Sequence, residues 1–328
     1  MTATALEITE YRPDYSGDMP QNSARLQCVK GRAVTADMGE RFLAYIDVRK
    51  DSADTYRKSI RRFLSWLNDN GITAPQRQDV IAWRDDLKAT HKATTVQNYL
   101  TAVKLFFSWL AQENLYPNVA DHVKGVKIDK GFKHDYLTSR QCADVLEAID
   151  QRTETGRRDY AMMVLMLTTG LRTVEVSRAN VEDLRPSGDI MVLHVQGKGK
   201  DDAGNFVPVP ERTEKILRAY LAGRNAKDGE PLFTSTSNRD FGSPMHPRSI
   251  SRIAKEAFKA AGYDSRTLTA HSCRHTAATL NLLNGGTVQE TQQLLRHASI
   301  NTTMIYSHNL EKAQNKSAQR AENAIFCR

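Results

Sequence analysis

No run of roughly 18 apolar residues occurs in this 328-residue chain, so no membrane-spanning helix is expected. Residues 1–17 lack the basic start and apolar core of a secretory leader. Cysteine is scarce. Cys28, Cys142, Cys273 and Cys327 lie far apart and form no C-x-x-C pair, which excludes a disulfide framework or a cysteine-held zinc and fits reduced thiols in a cytosolic protein. No cluster of carboxylates offers a magnesium site. The run Gly197-Lys198-Gly199-Lys200 lacks the G-x-x-x-x-G-K-[ST] spacing and a following helix, so no nucleotide site is expected there.

What the chain does have is positive charge. Lys and Arg number 46 against 38 Asp and Glu, a formal net charge of +8. A basic chain favours polyanionic partners, because each phosphate it neutralises releases counterions. The hydrophobic fraction, 40%, is enough for ordinary cores, and the length is that of two domains.

Residues 1–31 show no apolar periodicity and read as an N-terminal extension, ordered at most by a partner. Residues 32–118 read as four helices. Thr35 is placed to cap the first, whose apolar stripe is Phe42, Leu43 and Ile46. Ser52 is placed to cap the second, where Tyr56, Ile60, Phe63 and Leu67 recur at helical spacing before Asn70-Gly71 ends it. Val80, Trp83 and Leu87 mark a third, and Thr94 or Thr95 opens a fourth that carries Val96, Leu100, Val103, Phe107 and Leu110. Arg57, Lys58, Arg61 and Arg62 form a basic face on the second helix, and Thr94, Asn98 and Lys104 a polar face on the fourth. Both are candidate DNA contacts, with a merely solvated surface as the plain alternative. Residues 119–135, rich in Lys and Gly, read as a linker.

The second domain is expected over 136–308. Thr138 caps a helix with Cys142, Val145 and Leu146. A nearly all-apolar helix then runs to Thr169 and is broken by Gly170. Arg172 follows directly. A buried arginine is costly unless paired, and Glu175, three residues on, is its candidate partner. Ile190–Val195 and 205–209 read as paired strands, joined by a turn carrying Lys198 and Lys200. Helices are expected at 211–221 and 246–261.

Residues 270–308 hold the densest chemistry. His271 and Arg274 are three apart and share a helix face. Cys273 between them reads as a buried helix residue. Leu280, Leu282 and Leu283, with Ala277 and Ala278, supply the apolar side, and Gly285-Gly286 stops the helix. Thr287 caps a second helix, Val288 to Leu295, closed by Arg296-His297. Thr302 or Thr303 opens a third segment bearing Tyr306. Residues 309–328 form a polar tail with Leu310, Ala313, Ser317, Ala321 and Ile325 near helical spacing.

The candidates are thus Arg172, Lys198, His271, Arg274, His297 and Tyr306. His271 and His275 stand at i, i+4, but the glutamate of the usual zinc hydrolase motif is missing and no third ligand is evident, so no metal is assigned. Two arginine forks suit the non-bridging oxygens of a phosphodiester. Tyr306 is the residue of the set suited to covalent attack on phosphorus. A lysine on a mobile hairpin can protonate a departing oxygen, and the histidines can shuttle a proton or bond the phosphate.

The pieces TGLRTVE, GKGK, HSCRHTAATL and LLRHASINTTMIYSH, in that order and spacing, resemble the tyrosine recombinases: phage-type and transposon integrases and Xer-like enzymes. The match spans 136–308, and the preceding helical region looks like the family's core-binding domain. The resemblance implies a mostly α (α+β) fold, in which a helical core-binding domain and a catalytic domain with a small antiparallel sheet clamp DNA. It assigns Arg172 and Arg274 as the two arginines, Lys198 as the hairpin lysine, His271 and His297 as the two histidines, Tyr306 as the nucleophile and Glu175 as a supporting acid. It further implies a homotetramer on two double-stranded DNA sites and a covalent 3′-phosphotyrosyl intermediate. Strand exchange then passes through a Holliday junction, with no metal, ATP or other cofactor. The setting is the prokaryotic cytoplasm at the nucleoid, often on a mobile genetic element, with room for accessory DNA-bending or directionality proteins. The sequence departs from the family pattern at Cys273, where leucine is common, and at Arg296, where glycine is common. A type IB topoisomerase and a DNA-binding protein without catalysis are the alternatives.

Overall fold

The computed structural model describes residues 33–128, 135–197, 204–313 and 315–326. The chain divides into two compact units, 1–130 and 131–328.

In the first unit the four expected helices are α1 (Ala36–Tyr45), α2 (Lys50–Asp69), α3 (Arg77–Thr90) and α4 (Ala93–Gln112). Thr35 caps α1 by accepting from the Met38 amide. Two other expected caps do not hold. Ser52 lies within the first turn of α2, which begins at Lys50 behind Arg49. Thr94 and Thr95 lie within α4, which opens behind Lys92. In both cases the first turn has no side-chain cap, so packing of the apolar stripe sets where the helix starts. That stripe makes an aromatic core: Phe42, Phe63, Trp83, Phe106 and Phe107 are all buried, with Phe63 edge-on to Trp83 at 4.9 Å between ring centres. The Gln97 side chain accepts from the Val126 amide at 3.1 Å, tying the chain beyond the last helix back onto α4.

The second unit opens with α5 (Ser139–Glu147), α6 (Glu154–Thr169) and the short α7 (Thr173–Arg178). The Thr138 and Gln141 side chains satisfy each other's backbone amides at the start of α5. Helix α6 is the unit's apolar centre: Ala161, Met162, Met163, Leu165 and Met166 are fully buried. Three antiparallel strands follow, β1 (Leu184–Ser187), β2 (Ile190–Val195) and β3 (Asn205–Pro208), in the order β1-β2-β3. Leu184 pairs with Leu193, and Leu193 with Val207, so the sheet turns its apolar side inward at these positions. Then come α8 (Glu211–Gly223), α9 (Pro247–Ala260), α10 (Ala270–Leu283), α11 (Val288–Leu295), α12 (Ile300–Ala313) and α13 (Ser317–Phe326). The fold is therefore mostly α with one small antiparallel sheet, and among the described residues no helix is long and apolar enough to cross a membrane.

Three further expectations need correction. The buried side of α10 is its first half, Ala270 and Ser272 to Thr279, whereas Leu283 is 44% exposed. Helix α12 starts at Ile300, not at Thr302 or Thr303, and continues past His308 to Ala313. The tail is thus split between the end of α12 and a separate α13, and its expected single stripe is interrupted between Ala313 and Ser317. Lys198 and Lys200 lie outside the described residues.

Candidate active site

The chain that carries Arg172 is delivered by a sharp helix stop. Gly170 ends α6 in the left-handed region, φ +61°, and a Cβ there would lie 2.6 Å from the Leu295 side chain. Only glycine takes that conformation at little cost and leaves the space open. The stop exposes the Gly170 carbonyl, which accepts from Arg274 Nη1 at 2.7 Å. The second guanidinium nitrogen of Arg274 donates to the Leu295 carbonyl at the end of α11. Arg274, 1% exposed, therefore joins the ends of two helices from a third. Burial, followed by repulsion from Arg172 and Arg296, lowers its pKa to about 9, so it stays cationic at neutral pH.

Arg172 and Glu175 pair as expected. Glu175 Oε1 accepts from Arg172 Nη1 at 2.9 Å, and Oε2 accepts from the Arg172 amide at 2.7 Å. A second arginine, not expected in this role, reaches the same carboxylate: Arg296 Nη2 donates to Oε2 at 2.9 Å across 121 positions of sequence. Glu175 is 1% exposed. Its burial pushes the carboxyl pKa up, but Arg296 and then Arg172 outweigh this and hold it below the ordinary glutamate value. Arg296 sits at the end of α11 with φ +54°, in the region that favours glycine and costs other residues about 1 kcal/mol. This explains why glycine suits the position.

His297 follows directly. Its Nδ1 lies 2.8 Å from Thr303 Oγ1, and its carbonyl accepts from Gln292 Nε2 at 3.0 Å. Thr303 is thus a site residue within α12. Its hydroxyl gave a capping signal in the sequence, and the contact across the α11–α12 turn that replaces it was not readable there. Burial first, then the positive charge of Arg274 and Arg172, lowers the His297 pKa to about 4. At neutral pH the ring is neutral, with one nitrogen able to donate and one to accept.

Tyr306 is packed between three helices. Its ring, 5% exposed, joins Ala278 of α10 and Leu295 of α11 in a small cluster, with Leu282 and Leu294 beside it. The His297 ring stacks nearly parallel to it with centres 6.4 Å apart. His275 lies on another side at 5.3 Å, and the His271 ring meets His275 edge-on at 4.6 Å. In the sequence His275 stands out only as half of a zinc-like pair with His271. Its i+4 spacing in fact links His271 to the tyrosine. Burial raises the Tyr306 pKa, while Arg274 and Arg172 pull it down. Cys273 is fully buried, and burial pushes its thiol pKa far up, so it is an inert helix residue as expected.

The structure thus brings Arg172, Glu175, His271, Arg274, His297 and Tyr306 into one region of the second unit. A cleft of about 1120 Å³ is lined by Arg172, Glu175, Arg296 and His297, with Val195 and Phe206 of the sheet. Among the described residues no three His, Cys, Asp or Glu side chains gather as metal ligands. The remaining described candidates lie in the first unit. There Arg57 pairs with Asp54 at 2.7 Å, Arg61 pairs with Glu40 at 3.0 Å, and Arg62 lies over the Tyr99 ring. Lys58, Thr94 and Asn98 are exposed, and Lys104 is half-buried.

Comparison with known proteins agrees along most of the chain. Residues 135–313 match the Phage integrase family, and residues 40–114 match the Phage integrase, N-terminal SAM-like domain. Tyrosine recombinase XerC 2 of Ralstonia nicotianae is 32% identical over 276 residues, covering 78% of this chain and 77% of the relative. Among solved structures, the XerH site-specific recombinase in a post-cleavage complex on palindromic difH substrate superposes with a TM-score of 0.67 at 21% identity, covering 80% of this chain and 78% of that one. A lambda integrase tetramer bound to a Holliday junction gives a TM-score of 0.66 at 19% identity, covering 88% and 81%. At these identities the structural likeness concerns the fold. The family profile and the XerC relative carry the assignment: the chain belongs to the phage integrase family of tyrosine recombinases, site-specific enzymes that break and rejoin DNA.

Proposed function

We propose that this recombinase cleaves one strand at a time through a 3′-phosphotyrosyl intermediate, with Tyr306 as nucleophile. The observation that carries this is the packing of Tyr306 against His297, in the region where Arg274 and the Arg172–Glu175 pair also converge. In the reaction Tyr306 Oη forms a bond to phosphorus and gives up its proton, with His271, which reaches the tyrosine ring through His275, as the base. The bond from phosphorus to the 5′-oxygen breaks, and that oxygen leaves as a 5′-hydroxyl with a proton from Lys198. The two arginines hold the non-bridging oxygens as charge builds on them. Neutral His297 offers a hydrogen bond. Attack by the 5′-hydroxyl of a partner strand reverses each change, so the backbone energy is kept in the tyrosyl ester.

The substrate is double-stranded DNA. Residues 32–118 serve as the core-binding domain, 119–135 as a linker and 136–308 as the catalytic domain. Arg57, Lys58, Arg61, Arg62, Thr94, Asn98, Lys104 and Lys200 contact the DNA backbone. The exposed ion pairs of Arg57 with Asp54 and Arg61 with Glu40 are weak enough to yield to phosphates. Assembly is a homotetramer on two sites, as in the lambda integrase tetramer bound to a Holliday junction. The setting is the bacterial cytoplasm, at the nucleoid, with accessory DNA-bending proteins where the target requires them. The test is exchange between two copies of the target, found by footprinting on candidate element ends. Recombinant duplexes in EDTA without nucleotide support the reading. Relaxation of supercoils regardless of sequence, without exchange, would replace it with a topoisomerase.

Lys198→Ala should slow cleavage of ordinary DNA by of order 10²-fold, the loss typical of a positioned general acid. A substrate with sulfur at the 5′-bridging position needs no proton to leave and should restore the rate. Rescue of Lys200→Ala but not Lys198→Ala would transfer the role to Lys200.

The tail supplies a second test. Every residue of α13 is exposed in its own chain, including Ile325 at 65% and Phe326 at 77%. A short helix with an apolar end and no buried face needs a groove to hold it, which supports docking on a neighbouring subunit. Since α12 runs to Ala313, ending the chain after that residue keeps the Tyr306 helix whole. Such a protein should bind single sites normally, yet form fewer paired-site complexes and less recombinant product. Unchanged synapsis in gel shifts and unchanged exchange would exclude the role in trans.

A further inference from the structure

One carboxylate in the site serves two arginines. Glu175 Oε1 is taken by Arg172 Nη1, while Oε2 is shared between the Arg172 amide and Arg296 Nη2. The two guanidiniums differ in outlook: the Arg172 side chain is 32% exposed and that of Arg296 is 10% exposed. Arg172 can therefore meet a substrate from one side while the carboxylate holds it from the other. Arg296 lies on the inner side of that carboxylate. Its other fork nitrogen, Nη1, donates to the Leu294 carbonyl at 2.7 Å, which anchors the guanidinium to the end of α11.

The backbone gives no reason for an arginine here. At φ +54° glycine would serve better, so what this residue adds lies in its side chain. Its position also matters, because the next residue is His297. Arg296 therefore links the α11–α12 turn to the start of α7, where Arg172 stands. With Arg172 and Arg296 on the one carboxylate and Arg274 close enough to be repelled by both, the site carries surplus positive charge before any phosphate arrives.

We propose that Arg296 is a positioning residue for cleavage: it locks the Glu175 carboxylate from the inner side and thereby fixes the guanidinium of Arg172 toward the scissile phosphate. The inference rests on the reading of Arg172 as a phosphate-binding arginine. Arg296 acts through Glu175 rather than by touching DNA.

The experiment measures single-turnover cleavage of a nicked suicide substrate by full-length protein, beside gel-shift affinity, for wild type, Arg296→Gly, Arg296→Lys, Glu175→Gln and the double variant Glu175→Gln/Arg296→Gly. Arg296→Gly should keep its affinity and lose of order tenfold to a hundredfold in cleavage rate, the scale of a small misplacement at the reacting centre. Millimolar guanidinium should restore part of that rate in the glycine variant and change nothing in wild type. Arg296→Lys, which keeps a cation on the carboxylate, should retain most of the rate, and it carries the test if the glycine variant is unstable. The double variant should be no slower than Glu175→Gln alone, since residues acting as one unit are not additive. Undiminished cleavage by Arg296→Gly, additive losses in the double variant, or a parallel fall in DNA affinity would each overturn the proposal, the last by making Arg296 a direct DNA contact. Failure of the wild-type protein to form any adduct would instead remove the reading beneath it.

Discussion

Tyr306→Phe is expected to bind its DNA site with normal affinity and to form no covalent complex. The ring of Tyr306 does structural work that phenylalanine can take over: it fills the space between Ala278 and Leu295 and stacks beside His297. The substitution removes one oxygen and leaves that packing in place. What it removes chemically is the only atom proposed to attack phosphorus. Burial raises the phenol pKa, opposed by Arg274 and Arg172, so the group is protonated until a base takes its proton. A wild-type adduct retained on a denaturing gel, absent in the variant while gel shifts are unchanged, is the expected result. Adduct at wild-type level in the variant would remove Tyr306 from the role.

Arg274→Ala should lose both catalysis and stability. Arg274 is among the largest fully buried side chains of the molecule, and it satisfies the Gly170 and Leu295 carbonyls at two helix ends. Alanine would leave both acceptors buried without these donors, at about 1–3 kcal/mol each, and open a cavity as well. It also withdraws one of the two guanidiniums proposed to hold the phosphate. Removing a single preorganised donor to a charged transition state typically costs about 10²–10³ in rate. Arg274→Lys separates the two losses. An ammonium offers a point charge in place of a fork, so it should recover part of the melting temperature and little of the cleavage rate. Thermal melting and adduct formation, measured on both variants, check this. An alanine variant that melts and cleaves like wild type would contradict the arrangement.

Local signals make much of this molecule legible in its sequence. Gly170 stops α6, Thr287 caps α11 through a capping box with Glu290, and the β2 and β3 strands fall within the runs 190–195 and 205–209 that read as strands. Each depends on residues within a few positions of one another. What the sequence leaves unread or misplaced has the opposite character. Strand β1, with Leu184, Arg185, Pro186 and Ser187, has little strand propensity of its own and exists because it pairs along β2. Ser52 and Thr94 look like caps, but their helices begin earlier because the aromatic core fixes them. The same holds at the site. The Arg172–Glu175 pair is three residues apart and was readable, whereas the Arg296–Glu175 pair spans 121 positions and was not. Thr303 looked like a helix cap and is instead the partner of His297. Spacing identifies residues that share a helix face, and only the packing of α10, α11 and α12 shows which faces meet.

The most direct test of the account is the chemical identity of the trapped complex. A nicked suicide substrate should accumulate adduct with wild-type protein in EDTA, and proteolysis followed by mass spectrometry should find the nucleotide on the peptide that contains Tyr306. The account predicts a phosphodiester from the Tyr306 oxygen to a DNA 3′ end, with a free 5′-hydroxyl on the released strand. Attachment to any other residue, or linkage through a 5′-phosphate, would contradict it.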